Sequence, residues 1–274
     1  MELRYADIRY SFYKTVYEAG FTYKFLLALF FAGLTGIGAQ VKIYLPFTPV
    51  PITGQVFFVL LTGVFLGRYA GLSQGLYVAL GAAGMPWFAP KAGMPAFSNG
   101  GLSVLTGVTG GYLIGFVVAA AAIGYFIEKY VSSRRTAFQL CLLLFGVAVI
   151  YILGALQLSI LLGTGFQKTM LMAVLPFIPG DIIKAAAVLA IAAAILPKEA
   201  YNGEVDVKNP HNFRLPGAAL TLILALFFLS LLILKAMSLQ EVSAGNLVSE
   251  TLWYFLPFLL SVAVFTKLVT STSK

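Results

Sequence analysis

Apolar runs of roughly bilayer-spanning length recur along the chain, separated by short polar or Gly/Pro-rich breaks. Eight are predicted as helices: Phe25–Ile43, Thr53–Gly67, Gly71–Phe88, Gly110–Ile127, Phe138–Leu162, Pro179–Leu196, Gly217–Ala236 and Leu252–Thr270. The second is short, and the third is Gly-rich enough to be a broken span. Met170–Phe177 adds a short apolar piece ahead of Pro179. Before the first run, Tyr5, Ile8, Phe12 and Val16 recur at helical spacing among charged residues. That pattern predicts an interfacial helix lying on a membrane. Met1–Lys24 has no continuous apolar core, so it does not read as a cleavable signal. The chain then divides into an interfacial segment, 1–24; a six-helix membrane body, 25–197; and a polar loop with two further helices, 198–274. The predicted class is all-α, a polytopic membrane protein.

Composition agrees with this pattern and narrows it. Of 274 residues, 60% are hydrophobic and 10% charged. A soluble domain carries about 25% charged residues. The net charge of +8 would suit nucleic acid in a soluble protein. Here the basic residues sit at the ends of apolar runs, so they read as topological charge and no nucleic-acid partner is expected. With eight spans, thirteen of the 18 Lys and Arg residues fall on the side of the termini, among them Lys24, Arg68, Lys129, Arg134 and Arg135. Lys42, Lys91, Lys168 and Lys235 fall on the other side, and Lys184 lies within a span. Basic excess marks the cytoplasmic face, so both termini are expected inside a cell membrane. The breaks on the outer side are irregular: Pro46, Pro49 and Pro51; then Pro86, Pro90, Pro95, Gly100 and Gly101; then Pro176, Pro179 and Gly180. Irregular backbone at membrane depth is tolerated where it lines a cavity. A cavity mouth is expected there.

Few residues carry chemistry. Asp181 and Lys184 lie three apart at the start of the sixth run, on one helical face. Ionisable residues inside a span face an interior or a cavity, and the carboxylate is favoured near a helix N-terminus. A capping Asp with a self-paired Lys and a ligand site are both consistent with the spacing. Thr109, at the head of Gly110-Gly111-Tyr112, would either cap a helix or meet a ligand. Trp87, Phe88 and Asn99 flank the second outer loop, as belt and turn residues or as pocket walls. Ala28, Ala32 and Gly36 form a small-residue stripe, for packing inside the chain or for docking a second membrane protein. There is one histidine, His211, and one cysteine, Cys141. No Gly-Lys-Ser/Thr phosphate loop, nucleophile elbow or HExxH is present, so neither an enzyme nor a resident cofactor is expected.

Several motifs together carry a resemblance. Val50-Pro51-Ile52-Thr53-Gly54-Gln55, Leu66-Gly67, Gly81-Ala82-Ala83-Gly84-Met85-Pro86-Trp87-Phe88-Ala89, Thr109-Gly110-Gly111-Tyr112, and Pro176 through Lys184 resemble the BioY family over about residues 25–197. The resemblance implies a biotin-binding S component of an energy-coupling factor (ECF) transporter, with the pocket at the outer side. It implies three partners: a transmembrane T component and two cytoplasmic ATPases. It matches the family's Asp-x-x-Lys motif to Asp181 and Lys184, and the carboxylate of biotin is then expected to meet Lys184, directly or through a network with Asp181. It places Gln55, Asn99, Thr109 and Tyr112 around the pocket, and matches Ala28 and Ala32 to a helix-docking motif. Val108 and Gly54 depart from the family's Pro and Leu, and the two helices after Pro197 exceed its six-helix body. The alternatives are an S component for another vitamin, a proton-coupled secondary transporter using Asp181, and a scaffold without a ligand.

Overall fold

The computed structural model describes residues 13–197. The predicted interfacial segment is therefore described only from Tyr13 on, and the two predicted C-terminal helices, Gly217–Ala236 and Leu252–Thr270, lie outside the described residues. Residues 13–18 are helical. Helix α1 follows, Phe21–Gln40. A two-stranded ribbon, β1 Lys42–Ile43 and β2 Ile52–Thr53, then pairs antiparallel with Lys42 opposite Thr53. Next come α2 Gln55–Leu66 and α3 Ala70–Ala82. A long outer loop leads to the short α4, Leu102–Leu105, and then to α5, Gly110–Lys129. Helix α6 is Thr136–Leu162, α7 Phe166–Ala173 and α8 Ile178–Ile195.

Helices α1, α5, α6 and α8 have 20, 20, 27 and 18 residues and are each long and apolar enough to cross a bilayer. At 1.5 Å per residue they measure about 27–40 Å. Between Gln55 and Ala82 the chain stays helical through a short 3-10 turn, Gly67–Tyr69. A straight rod of that length would hold Gln55 and Tyr77 about 33 Å apart. Instead Gln55 Nε2 donates to Tyr77 Oη at 2.7 Å, and Gln74 Nε2 donates to Thr62 Oγ1 at 3.2 Å. The chain therefore doubles back, and α2 and α3 form an antiparallel pair. The reversal falls at Gly67, where φ is +53°, a conformation that costs glycine least. Glu128 at the end of α5 holds the turn: it accepts from Arg68 N and from Arg68 Nε, each at 2.7 Å. Six helices thus build the body, as expected. The third ends at Ala82 and not at Phe88, because Gly84 takes φ +112° and Pro86 follows.

Helix α5 is the central post, packing on α2, α3 and α6. Its Gly111 and Gly115 allow this, since a Cβ at either would run into the α6 backbone at Leu153 or Ile150. Its lower half buries Phe116, Ala119, Ala120, Ile123 and Ile127. Leu26, Phe30 and Ile37 of α1, and Ile182 and Ile183 of α8, stay exposed, as side chains facing lipid would. At the end that carries the Gly67 turn, basic and tyrosine side chains interleave. Lys24 Nζ lies over the rings of Tyr17 and Tyr69, and the Arg134 guanidinium over Tyr13.

Candidate functional site

The cavity lies at the opposite end. Helices α2, α5 and α8 all begin there. Gln55, Thr109 and Tyr112, and Asp181 and Lys184 line it from those three N-termini, joined by Tyr151 from α6. The outer loops complete the wall with Tyr44, the prolines 46, 49 and 51, and residues from Phe88 to Ala92. The volume is about 720 Å³, within the range of small-molecule sites.

Asp181 sits in the first turn of α8, behind Pro179. It is only 3% exposed. Its Oδ1 pairs with Lys184 Nζ at 2.7 Å, and its Oδ2 accepts from Tyr151 Oη at 2.6 Å. A carboxylate buried in lipid-depth protein must be neutralised and hydrogen-bonded, and these two partners do both. Each carboxylate oxygen keeps lone-pair capacity, and Lys184 keeps two ammonium protons. The pair therefore offers an acceptor and a donor side by side, with no net charge.

The other walls are also tied down. Thr53 Oγ1 donates to Gln55 Oε1 at 3.0 Å, and Gln55 in turn donates to Tyr77. Tyr112 donates to the Ala173 carbonyl at 2.8 Å, and its ring lies against Gly154, where no side chain intervenes. Asn99 Nδ2 donates to Ala89 O at 2.6 Å while its carbonyl accepts from Phe88 N at 3.0 Å. This clasp closes the 88–99 loop on itself. Thr109 occupies the N-cap position of α5 yet makes no side-chain cap bond. Gln157 Nε2 donates to the carbonyls of Leu105 and Gly107, each at 2.7 Å, and so fixes the loop that presents Thr109. Tyr44 donates to Pro90 O. Burial pushes its phenol above the usual tyrosine range, so it stays a neutral donor.

The structure thus brings Gln55, Phe88, Asn99, Thr109, Tyr112, Asp181 and Lys184 to one cavity. Trp87 lies behind that wall: its indole N–H donates to Tyr77 O at 3.0 Å and its ring packs on Gly36. Ala28 and Ala32 are fully buried, and Ser73 of α3 donates to the Ala28 carbonyl at 2.8 Å. As placed here, their stripe packs within the bundle. Sequence reasoning did not single out Tyr151, which lines the cavity as Tyr44 and Lys91 also do, or Gln157, which holds the loop beside it. Tyr151 and Gln157 are each a polar group isolated in the apolar run of α6, and that isolation is the available signal.

The BioY family profile matches residues 14–200. A protein named probable biotin transporter BioY, from Methanothermobacter thermautotrophicus, is 42% identical over 164 residues, covering 57% of this chain and 100% of that one. Biotin transporter BioY from Thermotoga maritima is 39% identical over 166 residues, covering 60% of this chain and 88% of that one. Among solved structures, the S-component for biotin from an ECF-type ABC transporter superposes with a TM-score of 0.56 at 28% identity, over 63% of this chain and 89% of that one.

Proposed function

The chain belongs to the BioY family, a family of transporters and not of enzymes, and on that premise we propose that it captures biotin in the cavity beneath its outer loops as the substrate-binding component of an ECF-type transporter. The observation that carries the reading is the Asp181–Lys184 pair. It is a buried, mutually neutralised donor and acceptor opening onto a cavity of about 720 Å³. The aliphatic and aromatic wall, with Val56, Phe88 and Phe116 in it, suits the thiophane ring and valeryl chain. Gln55, Asn99, Thr109 and Tyr112 supply further polar contacts, and no resident cofactor enters the mechanism.

The chain carries no ATP-binding loop, so inward release requires work done elsewhere. A transmembrane T component and two cytoplasmic ATPases are the partners proposed for that work. The end with Lys24, Arg68, Arg134 and the Gly67 turn is assigned to the cytoplasm, with both termini, and the cavity to the outside. Two features support this: the basic excess at that end, and the interleaved tyrosines, which suit a membrane interface. Partner contact on α1 would engage the exposed Leu26, Phe30 and Ile37, since Ala28 and Ala32 are covered.

Equilibrium binding of labelled biotin to the purified protein in detergent, with unlabelled vitamins as competitors, tests the function. Saturable binding displaced by biotin and its close analogues is expected. Folded protein that binds another vitamin instead would transfer the assignment to that vitamin.

A further inference from the structure

One stretch of the cavity wall has little burial to hold it. Residues 102–109, which form α4 and the turn into α5, include no buried side chain. Val104 and Leu105 are half-buried, and Leu102 is exposed. Yet Ser103, Val104, Gly107, Val108 and Thr109 all line the cavity. Packing alone does not fix this stretch, so its shape depends on hydrogen bonds. We propose that Gln157 of α6 is a positioning residue for ligand binding: it stands outside the cavity and holds the 107–110 turn in the shape that completes the wall. The role rests on biotin being the ligand of that cavity.

Among the described residues, the hydrogen bonds made by 102–109 are all local except two, and both come from Gln157. Its Nε2 donates to Leu105 O and to Gly107 O, each at 2.7 Å. A carboxamide nitrogen carries two protons, so each carbonyl receives one. Gly107 O is also the oxygen that closes the turn, accepting from Gly110 N at 3.1 Å. One side chain therefore ties the end of α4 to the start of the turn and fixes their separation. Gly110 makes room for it, because a Cβ there would lie 2.7 Å from Gln157 Nε2 and run into the Leu105 carbonyl.

The turn has little stiffness of its own. Thr109, at φ −102° and ψ −7°, fits the third residue of a type I turn, which makes Val108 the second. That second position requires φ near −60°, and proline presets it. Valine leaves φ free over a wider range. The Val108 N–H makes no hydrogen bond among the described residues, and the Thr109 side chain makes no cap bond. Gln157 supplies from a neighbouring helix the restraint that the turn lacks. A wall that must be ordered as the ligand arrives subtracts that entropy from affinity, and a wall held in advance does not.

The test is a double-mutant cycle on the full-length chain in detergent, read as the Kd for labelled biotin. It compares wild type, Gln157→Met, Val108→Pro and the two combined. Methionine keeps the length of glutamine and removes the amide. Gln157→Met is expected to weaken biotin about tenfold, through the loss of two hydrogen bonds. In the Val108→Pro background the same change is expected to cost no more than about twofold, because the ring then restrains the turn. If Gln157 served only the packing of α5 on α6, its loss would cost the same factor in both backgrounds, and that result would overturn the proposal. So would a Gln157→Met protein with wild-type affinity. Gln157 is half-buried, and Gln157→Leu takes the place of the methionine variant if that one does not fold. Folded wild type that binds no biotin would instead overturn the function, and this role with it.

Discussion

At the scale of single residues, the site depends on one buried carboxylate and its two partners. Lys184→Ala leaves Asp181 without a counter-charge in a place water hardly reaches. Removing one member of such a pair costs about 3–5 kcal/mol, and biotin binding should fall by about 100-fold or more. Unchanged affinity would refute the site. Tyr151→Phe removes one hydrogen bond to a charged acceptor, worth about 1.5–3 kcal/mol. Titration with labelled biotin should show a loss of about tenfold, with secondary structure unaltered by circular dichroism. Gln74 tests a different rule. It is fully buried, donates to Thr35 and Thr62 at 3.1 and 3.2 Å, and its Oε1 has no partner. Both threonine hydroxyls also donate to their own helix, at Phe31 O and Phe58 O, so neither is orphaned when Gln74 is lost. Gln74→Leu should therefore shift stability by no more than about 1 kcal/mol. Gln74→Ala, which leaves a void, should cost about 2–4 kcal/mol. Thermal unfolding of the two variants in one detergent separates these outcomes.

At the scale of elements, close helix approach positions the walls. Tyr112 reaches the Ala173 carbonyl because Gly154 leaves room for its ring on α6. Gly154→Ala places a methyl where the ring lies. Overpacking of this kind costs about 1–3 kcal/mol. It should also weaken biotin binding, because the displaced ring is itself cavity wall. A Gly154→Ala protein with wild-type affinity and wild-type melting would show that α5 and α6 separate freely here. The α2–α3 pair follows the same logic at the other end. Neither helix measures more than about 20 Å, so each is held by side-chain bonds to its partner and by Glu128 at the turn.

At the scale of the whole molecule, every described residue of the cavity lies before Pro197, and the family match ends at residue 200. A chain stopped after Pro197 is expected to bind biotin with affinity within about threefold of full length, a difference under about 1 kcal/mol. Isothermal titration of both proteins checks it. Loss of binding by a folded truncated chain would make the last 77 residues part of the site.

The sequence by itself determined the class, the number of helices in the body, and the Asp181–Lys184 juxtaposition. Each follows from a local rule: apolar run length, charge at the ends of runs, and helical periodicity placing residues three apart on one face. The joint occurrence of several short motifs carried the family. What only tertiary structure decided lies between elements. No spacing along the chain tells that Tyr151 of α6 closes on Asp181 of α8, 30 positions away. None tells that Gln157 holds the 105–107 loop. Trp87 and Phe88 are neighbours in sequence, yet one packs behind the wall and the other on it, because Asn99 fixes the direction of the strand-like backbone between them. The third helix stops short of its apolar run, because Gly84 turns the backbone away. Local periodicity records which face of a helix avoids water. It does not record which neighbour covers that face, and that neighbour decides whether a polar side chain becomes packing or site.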